Sequence, residues 1–395
     1  MPALDEELTS RLAALREQNL FRKLRRVDSA PGARIKIGGQ TLLNFSSNDY
    51  LGLASHPVLK TAATKAIRKF GAGAGASRLM CGSLAPFHEL EEALAAFKKT
   101  GAALTFATGC AAALGTITAL VGKGDIIIID KLVHACIVDA ARLSGAKIRV
   151  FAHNDLDDLE DKLKWAEKIS KAESGKRKAE ILVVTESIFS MDGDAAPLRE
   201  IVALKEKYGA WLMVDEAHAT GIIGKNGRGL ADELGVGQRI EIQMGTLGKA
   251  IGSGGGYICG SRALVDFLAN RARSFIFSTA PVPAAAAAAT AGIQLMQSAE
   301  GETRRKNLFA RIAELNLKLK IQNSKPQSAI IPLILGDEAR AVAAAKQLQE
   351  QDIFVPAIRY PTVARGKARL RITLTAGHTK TEVAELASAL EQLKI

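Results

Sequence analysis

Short apolar runs recur through the first two thirds of the chain: AALTF (102–106), DIIIID (125–130), KIRVFAH (147–153), EILVVTES (180–187), AWLMVDEAH (210–218) and GGYICG (255–260). Each reads as a buried strand. Between several of them lie stretches of helical period, such as DLDDLEDKLKWAEKI and PLREIVALKEKY. Continuous apolar runs separated by helices predict an α/β domain, with a mostly parallel sheet covered on both faces. It is assigned residues 46–280, after an N-terminal helical arm over residues 1–45 that ends in the turn-rich DSAPGARIKIGGQ. After FSTAPVPAAAAAAT the texture changes. Pro281 and Pro283 punctuate the chain, and Ala284–Ala289 open a helix predicted to run to about residue 319. SAIIPLIL, AVAAAKQLQEQ, RLRITLT and KTEVAELASALEQL then alternate strand and helix, which predicts a smaller C-terminal α+β domain over 281–395.

Composition narrows the class. A chain of 395 residues exceeds the size at which one core usually keeps growing, so a large domain with smaller companions is expected. Its 48% hydrophobic and 24% charged residues are ordinary for a soluble globular protein. No apolar run approaches the roughly 20 residues of a membrane span, and the charged N-terminus lacks a secretory apolar core. A cytoplasmic location follows as an expectation. Cys81, Cys110, Cys136 and Cys259 show no metal-ligand spacing, so they read as reduced, mostly buried thiols. The net charge of +12 raises nucleic-acid binding, but aromatics are only 5% and no nucleic-acid motif appears. An anionic small substrate or an acidic carrier protein suits that charge better.

In open α/β sheets, ligands collect beyond the carboxyl ends of the strands. The residues closing each run are therefore informative: His134 after IIIID, Glu186 and Ser190 after ILVVT, Asp215 and His218 after WLMV, Thr246 and Lys249 after EIQMG. Gly109 and Cys110 follow AALTF at a helix start, where free N–H groups suit a phosphate; a plain strand–helix turn is the alternative. Asp215 is either a helix N-cap or a buried carboxylate in need of a partner. A protonated ring nitrogen about 4 Å away would supply one, worth roughly 4 kcal/mol at an effective dielectric near 20. His134 could stack on a flat ring or begin a helix, and His218 could hydrogen-bond a ring substituent. Ser190 and Thr246 could donate hydroxyls or cap turns. Lys249 stands between glycine-bearing turns, a poor place for a hydrated amine unless the amine is used. Together, a phosphate cup, a ring stacker, a buried aspartate, hydroxyl donors and a desolvatable lysine describe a pyridoxal-phosphate site, with Lys249 carrying the aldehyde as a Schiff base.

LNFSSNDYLGL (42–52), FAHND (151–155), FSMDGD (189–194), DEAHATGIIG (215–224), TLGKA (246–250) and AIRYPTVARGKARLRITLTAGH (357–378) resemble the α-oxoamine synthases over nearly the whole chain. The resemblance implies the aspartate-aminotransferase-like fold and pyridoxal 5'-phosphate as cofactor. It implies Lys249 as the covalent lysine and Asp215 as partner of the pyridine nitrogen. His134 resembles the stacking histidine, His218 and Ser190 the contacts of the phenolic oxygen, and Thr246, Gly109 and Cys110 the phosphate ligands. Ser278 and Thr279 in FSTA match a segment that reaches the phosphate across a dimer interface, so a homodimer with a shared site is implied. Asn48, Arg359 and Thr362 resemble substrate contacts, with Arg359 clamping the amino-acid carboxylate. Arg22 aligns with an arginine that meets the acyl substrate, or is part of a solvated basic face. AIRYPTV points to the member that joins L-alanine to a pimeloyl thioester of coenzyme A or acyl carrier protein. Tyr360 where Pro is expected, Leu247 where Phe is expected, and the form of GAGAGASRLMCG (71–82) depart from the pattern. A sibling using glycine and another acyl thioester is the near alternative. A non-catalytic scaffold subunit need not keep the lysine, aspartate and histidines that are all present here.

Overall fold

The computed structural model describes residues 3–172, 179–319 and 328–393. They divide into two compact units, Met1–Gly52 with Met191–Gly193 and Lys306–Ile395, and Leu53–Ser190 with Asp194–Arg305. The N-terminal segment therefore belongs with the C-terminal residues, and the division between the units falls inside the helix Ala299–Lys318 rather than at residue 280.

In chain order, the first unit opens with the helix Ala3–Glu17, which buries none of its residues, and with β1 (Arg34–Ile37) and β2 (Gln40–Asn44). The second unit holds β3 (Ala102–Phe106), β4 (Ile126–Asp130), β5 (Lys147–Phe151), β6 (Ile181–Glu186), β7 (Trp211–Asp215), β8 (Ile242–Thr246) and β9 (Gly256–Gly260). The chain closes in the first unit with β10 (Ile330–Gly336), β11 (Ile353–Phe354), β12 (Ala357–Ile358) and β13 (Ala368–Thr373).

The second unit is the α/β body anticipated from the apolar runs. Its seven-stranded sheet runs β3-β9-β8-β7-β6-β4-β5. The pairs from β8 to β5 are parallel, and only β9 is antiparallel to its neighbours. Strand alternation explains why the runs are apolar throughout. Ile127 and Ile129 of β4 pack into one cluster with the helices Gly109–Leu120 and Ala135–Ser144, while Ile126 and Ile128 pack into another with Leu156–Ala172 and Leu198–Lys207. Each buried isoleucine contributes about 1.5–3 kcal/mol. The carboxyl ends of β3, β4, β6, β7 and β8 consequently share one edge.

The alanine run lies in the helix Pro283–Met296, which packs on the helices Pro57–Phe70 and Ala85–Lys98 through small side chains. One long helix to residue 319 does not form. It breaks at Gln297 and Ser298, because the Ser298 hydroxyl accepts the Gly301 N–H and starts a second helix, Ala299–Lys318.

In the first unit β1, β2 and β11 form one three-stranded sheet and β10, β13 and β12 another. The helices Glu338–Glu350 and Lys380–Glu391 complete it, the latter opened by a capping box between Thr379 and Glu382. Among the described residues no helix is long and apolar enough to cross a membrane.

Candidate active site

The sheet edge of the second unit gathers most of the residues singled out above. β8 ends at Thr246, and the chain then turns through Leu247–Gly248 to Lys249. Thr246 Oγ1 accepts the Gly248 N–H at 3.2 Å and donates to the Gly255 carbonyl at 3.0 Å, which closes the turn. Lys249 Nζ lies 2.7 Å from His218 Nε2. Asp215, the last residue of β7, is 5% exposed, and its Oδ1 accepts the Ala217 N–H at 2.8 Å. Burial raises its carboxyl above the usual range, while Lys249 and His134 pull it back down. Such a carboxyl gains most from a cationic partner.

The helix Gly109–Leu120 begins at the same edge. Its N-cap Thr108 accepts the Ala111 N–H at 3.0 Å, and the N–H groups of Gly109 and Cys110 carry no partner among the described residues. An added methyl on Gly109 would stand 3.8 Å from Thr246 Cβ, so the threonine flanks this helix end. Gly256 is required here, because any side chain would run into Thr108 and Gly109. His134 is exposed and caps the helix Ala135–Ser144 through Nδ1, which accepts the Cys136 N–H at 3.2 Å. Of the two openings left by sequence, the structure shows the helix start. Ser190 is buried, in the turn after β6.

Two residues stand out that the expected set of cofactor and substrate contacts did not include. Glu186 ends β6 in register with Asp215 on β7, is 2% exposed, and has an Oε1 with no hydrogen-bond partner. Arg371 of β13, 5% exposed, donates Nη1 and Nη2 to Asn48 Oδ1 at 3.2 Å each. Glu186 closes an apolar run, a position the sequence singled out without a role, and Arg371 lies inside one, where period alone reads a strand.

The remaining expected residues lie apart from Lys249 in the chain or in the first unit. Ser278 and Thr279 lie beside the 71–82 loop, where Thr279 bridges Ser77. In the first unit Arg22 Nη2 donates to the carbonyls of Arg359 and Tyr360, and Arg359 donates to those of Asn19 and Phe21. Thr362 is exposed. The expectation of mostly buried thiols needs correction: Cys81 and Cys110 are exposed, because one sits in a loop and the other on a helix start facing outward, while Cys136 and Cys259 are buried.

Residues 40–390 match the family described as aminotransferase class I and II. The chain belongs to that family. An 8-amino-7-oxononanoate synthase from Geotalea daltonii is 45% identical over 99% of this chain and 97% of its own. One from Thermoanaerobacter pseudethanolicus is 43% identical over 98% and 96%. Among solved structures, a serine palmitoyltransferase from S. paucimobilis with bound PLP is 28% identical, with a TM-score of 0.90 over 99% of this chain and 98% of that one. An 8-amino-7-oxononanoate synthase from Francisella tularensis is 28% identical, with a TM-score of 0.73 over 89% and 97%.

Like its relatives in the class I and II aminotransferase family, the chain is a pyridoxal-phosphate enzyme. The residues present fit that cofactor. Two unpartnered helix N–H groups beside Thr246 suit its phosphate, the buried Asp215 suits its ring nitrogen, and Lys249 beside His218 suits its aldehyde.

Proposed function

We propose that this acyltransferase joins L-alanine to a pimeloyl thioester, giving 8-amino-7-oxononanoate, carbon dioxide and the free thiol of coenzyme A or acyl carrier protein. The observation that carries the reading is Lys249 Nζ at 2.7 Å from His218, beside buried Asp215, in a chain nearly half identical to synthases of that name. When bound, the cofactor supplies an electron sink for the bonds broken at the alanine Cα. Asp215 keeps the ring nitrogen protonated. Lys249 would hold the aldehyde, and its Nζ would take the alanine Cα proton, with His218 Nε2 next to it to share that proton. Gly109, Cys110 and Thr246 would hold the phosphate, and His134 would pack against the ring. Ser190 and His218 meet the phenolic oxygen.

For the substrate carboxylate, Asn48 is joined by Arg371 in this reading. The Arg359 guanidinium is already committed to two main-chain carbonyls, whereas Arg371 is buried and held on Asn48 itself. Thr362 and Arg22 are assigned to the substrate, Arg22 to its acyl part. The enzyme acts as a homodimer, with Ser278 and Thr279 reaching the partner's phosphate. Supporting this, Leu79, Met80, Phe277 and Val282 are exposed around the Ser77–Thr279 bridge. A cytoplasmic location fits the same assignment.

The test is deuterium exchange at Cα of alanine and of glycine, followed by carbon dioxide release with pimeloyl thioesters of both carriers. Alanine exchange and pimeloyl-dependent release support the reading. Turnover confined to glycine and a different acyl group would transfer the chain to a sibling reaction.

A further inference from the structure

We propose that His378 is a positioning residue of the amino-acid site, whose ring fastens the segment 44–50 to the turn after β13 and so holds Asn48 against Arg371. The inference rests on the substrate-carboxylate reading given above and adds to it a residue outside the set of substrate and cofactor contacts. Asn48 lies in a stretch without regular structure after β2, and a loop places a side chain only as well as its main chain is held. Residues 373–378 do the holding. The Thr373 N–H donates to the Phe45 carbonyl at 2.8 Å, and the Ala376 N–H to that of Tyr50 at 2.7 Å. His378 supplies a third link: Nε2 lies 3.1 Å from the Asn44 carbonyl, and the ring stacks on Phe45 with 4.3 Å between centroids and 15° between planes. His378, Phe45 and Tyr50 are all buried. Arg371 stands two residues before Thr373 on β13, on the same face, and its Nη1 also donates to Thr373 Oγ1 at 3.0 Å. The approach of Asn48 to Arg371 is therefore set by how 44–50 lies on 373–378, and the His378 side chain spans from one to the other.

The chemistry of the ring suits a fixed post rather than a proton carrier. Nδ1 accepts the Thr375 N–H at 3.0 Å, which leaves the ring's own hydrogen on Nε2, facing the Asn44 carbonyl. Both nitrogens are engaged in that one tautomer. A second proton would have to enter at Nδ1, against a main-chain N–H that points at it. Burial pushes the imidazole down to about 4, with the Asn44 carbonyl and Glu382 opposing, so the ring is neutral at neutral pH. Asn44 is itself braced, since its Nδ2 donates to the Gly32 carbonyl at 3.0 Å and its Oδ1 accepts the Ser46 hydroxyl at 2.7 Å. The link therefore ends on a fixed point.

The experiment measures deuterium exchange at the alanine Cα by the enzyme loaded with pyridoxal phosphate, as KM and kcat, together with the cofactor Kd and the melting temperature of each variant. His378→Asn keeps an oxygen near the Nδ1 position for the Thr375 N–H but is too short to reach Asn44, whereas His378→Gln carries an amide N–H to the Nε2 position. Losing the link should raise the alanine KM of His378→Asn about 10-fold, with kcat and the cofactor Kd within about threefold of wild type. His378→Gln should return KM to within about threefold of wild type, because the hydrogen bond to Asn44 is restored. His378→Asn with an alanine KM within about twofold of wild type would overturn the proposal. So would a His378→Asn that loses kcat and cofactor affinity as heavily as it loses alanine, because the histidine would then be a general support of the fold. If His378→Asn does not fold, Phe45→Leu decides in its place by removing the ring stack: an alanine KM raised at least about threefold supports the proposal, and an unchanged one overturns it. Arg371→Gln, measured alongside, separates the two claims. A wild-type alanine KM in that variant would overturn the carboxylate reading itself, and this placement with it.

Discussion

Lys98 offers the sharpest test of how the active-site turn is held. It closes the helix Ala85–Lys98, and its ammonium is completely enclosed: Nζ donates to Glu216 Oε2 at 2.6 Å, to the Arg228 carbonyl at 2.5 Å and to Thr220 Oγ1 at 3.1 Å. Both side chains of the pair are 1% exposed. Burial alone would lower the lysine, but Glu216 outweighs it and holds Lys98 above its ordinary value. Lys98→Met keeps the aliphatic stem and removes the charge. Glu216 then remains buried with only the Ala231 N–H on its other oxygen. Breaking a buried pair from one side costs about 3–5 kcal/mol. Chemical denaturation at pH 7 should show a loss of that size. Adding Glu216→Gln should return at least about 2 kcal/mol, since the stranded charge is then gone. Because Glu216 follows Asp215 directly, Lys98→Met should also weaken cofactor binding. A single-variant loss below about 1 kcal/mol, or simple additivity in the double variant, would refute the argument.

Other outcomes follow from the same geometry. His153 bridges Asp130 at 3.0 Å and Asp194 at 2.8 Å; burial lowers its pKa, but the two carboxylates prevail and raise it to about 10. Its stabilising contribution is therefore full below about pH 6.5 and lost as pH rises through about 10. Thermal unfolding of His153→Gln against wild type should show a gap at pH 6 that closes by pH 10.5, and a gap that widens with pH would contradict the assignment. The thiols should divide as well. Cys81 and Cys110 are exposed, whereas burial and the nearby Asp215 push Cys136 up to about 12 and burial raises Cys259 to about 12. Alkylation of the native apoprotein at pH 8, read by peptide mass, should mark Cys81 and Cys110, and pyridoxal phosphate should protect Cys110 alone. Equal labelling of Cys110 with and without cofactor would argue against phosphate at that helix end.

How much of this was legible in the sequence follows from what each residue does. Strands such as IIIID and WLMVD announced themselves because both faces of the sheet are covered, so every position is apolar until the last. That last position was informative for the same reason. A polar residue closing a buried run has reached the sheet edge, and Asp215 and Thr246 did so. Glu186 carried the same signal but no role, because its place in register beside Asp215 is a pairing between strands and not a local motif. Arg371 was hidden in RLRITLT, where a charged residue at period two looks like the wet side of a strand although it is buried. The break at Ser298 was masked by good helix formers on both sides. The grouping of the N-terminal segment with the C-terminal residues depends on β2 pairing with β11, a contact between residues far apart in the chain. Local pattern holds no trace of such a pairing.

The central claim is that the Lys249 amine carries the cofactor. Borohydride reduction of the protein loaded with pyridoxal phosphate, followed by proteolysis and mass mapping, tests it most directly. The reduced phosphopyridoxyl group should appear on the peptide containing Lys249 and vanish in Lys249→Ala. A loaded protein that yields no such peptide, or one modified at a different lysine, would contradict the account.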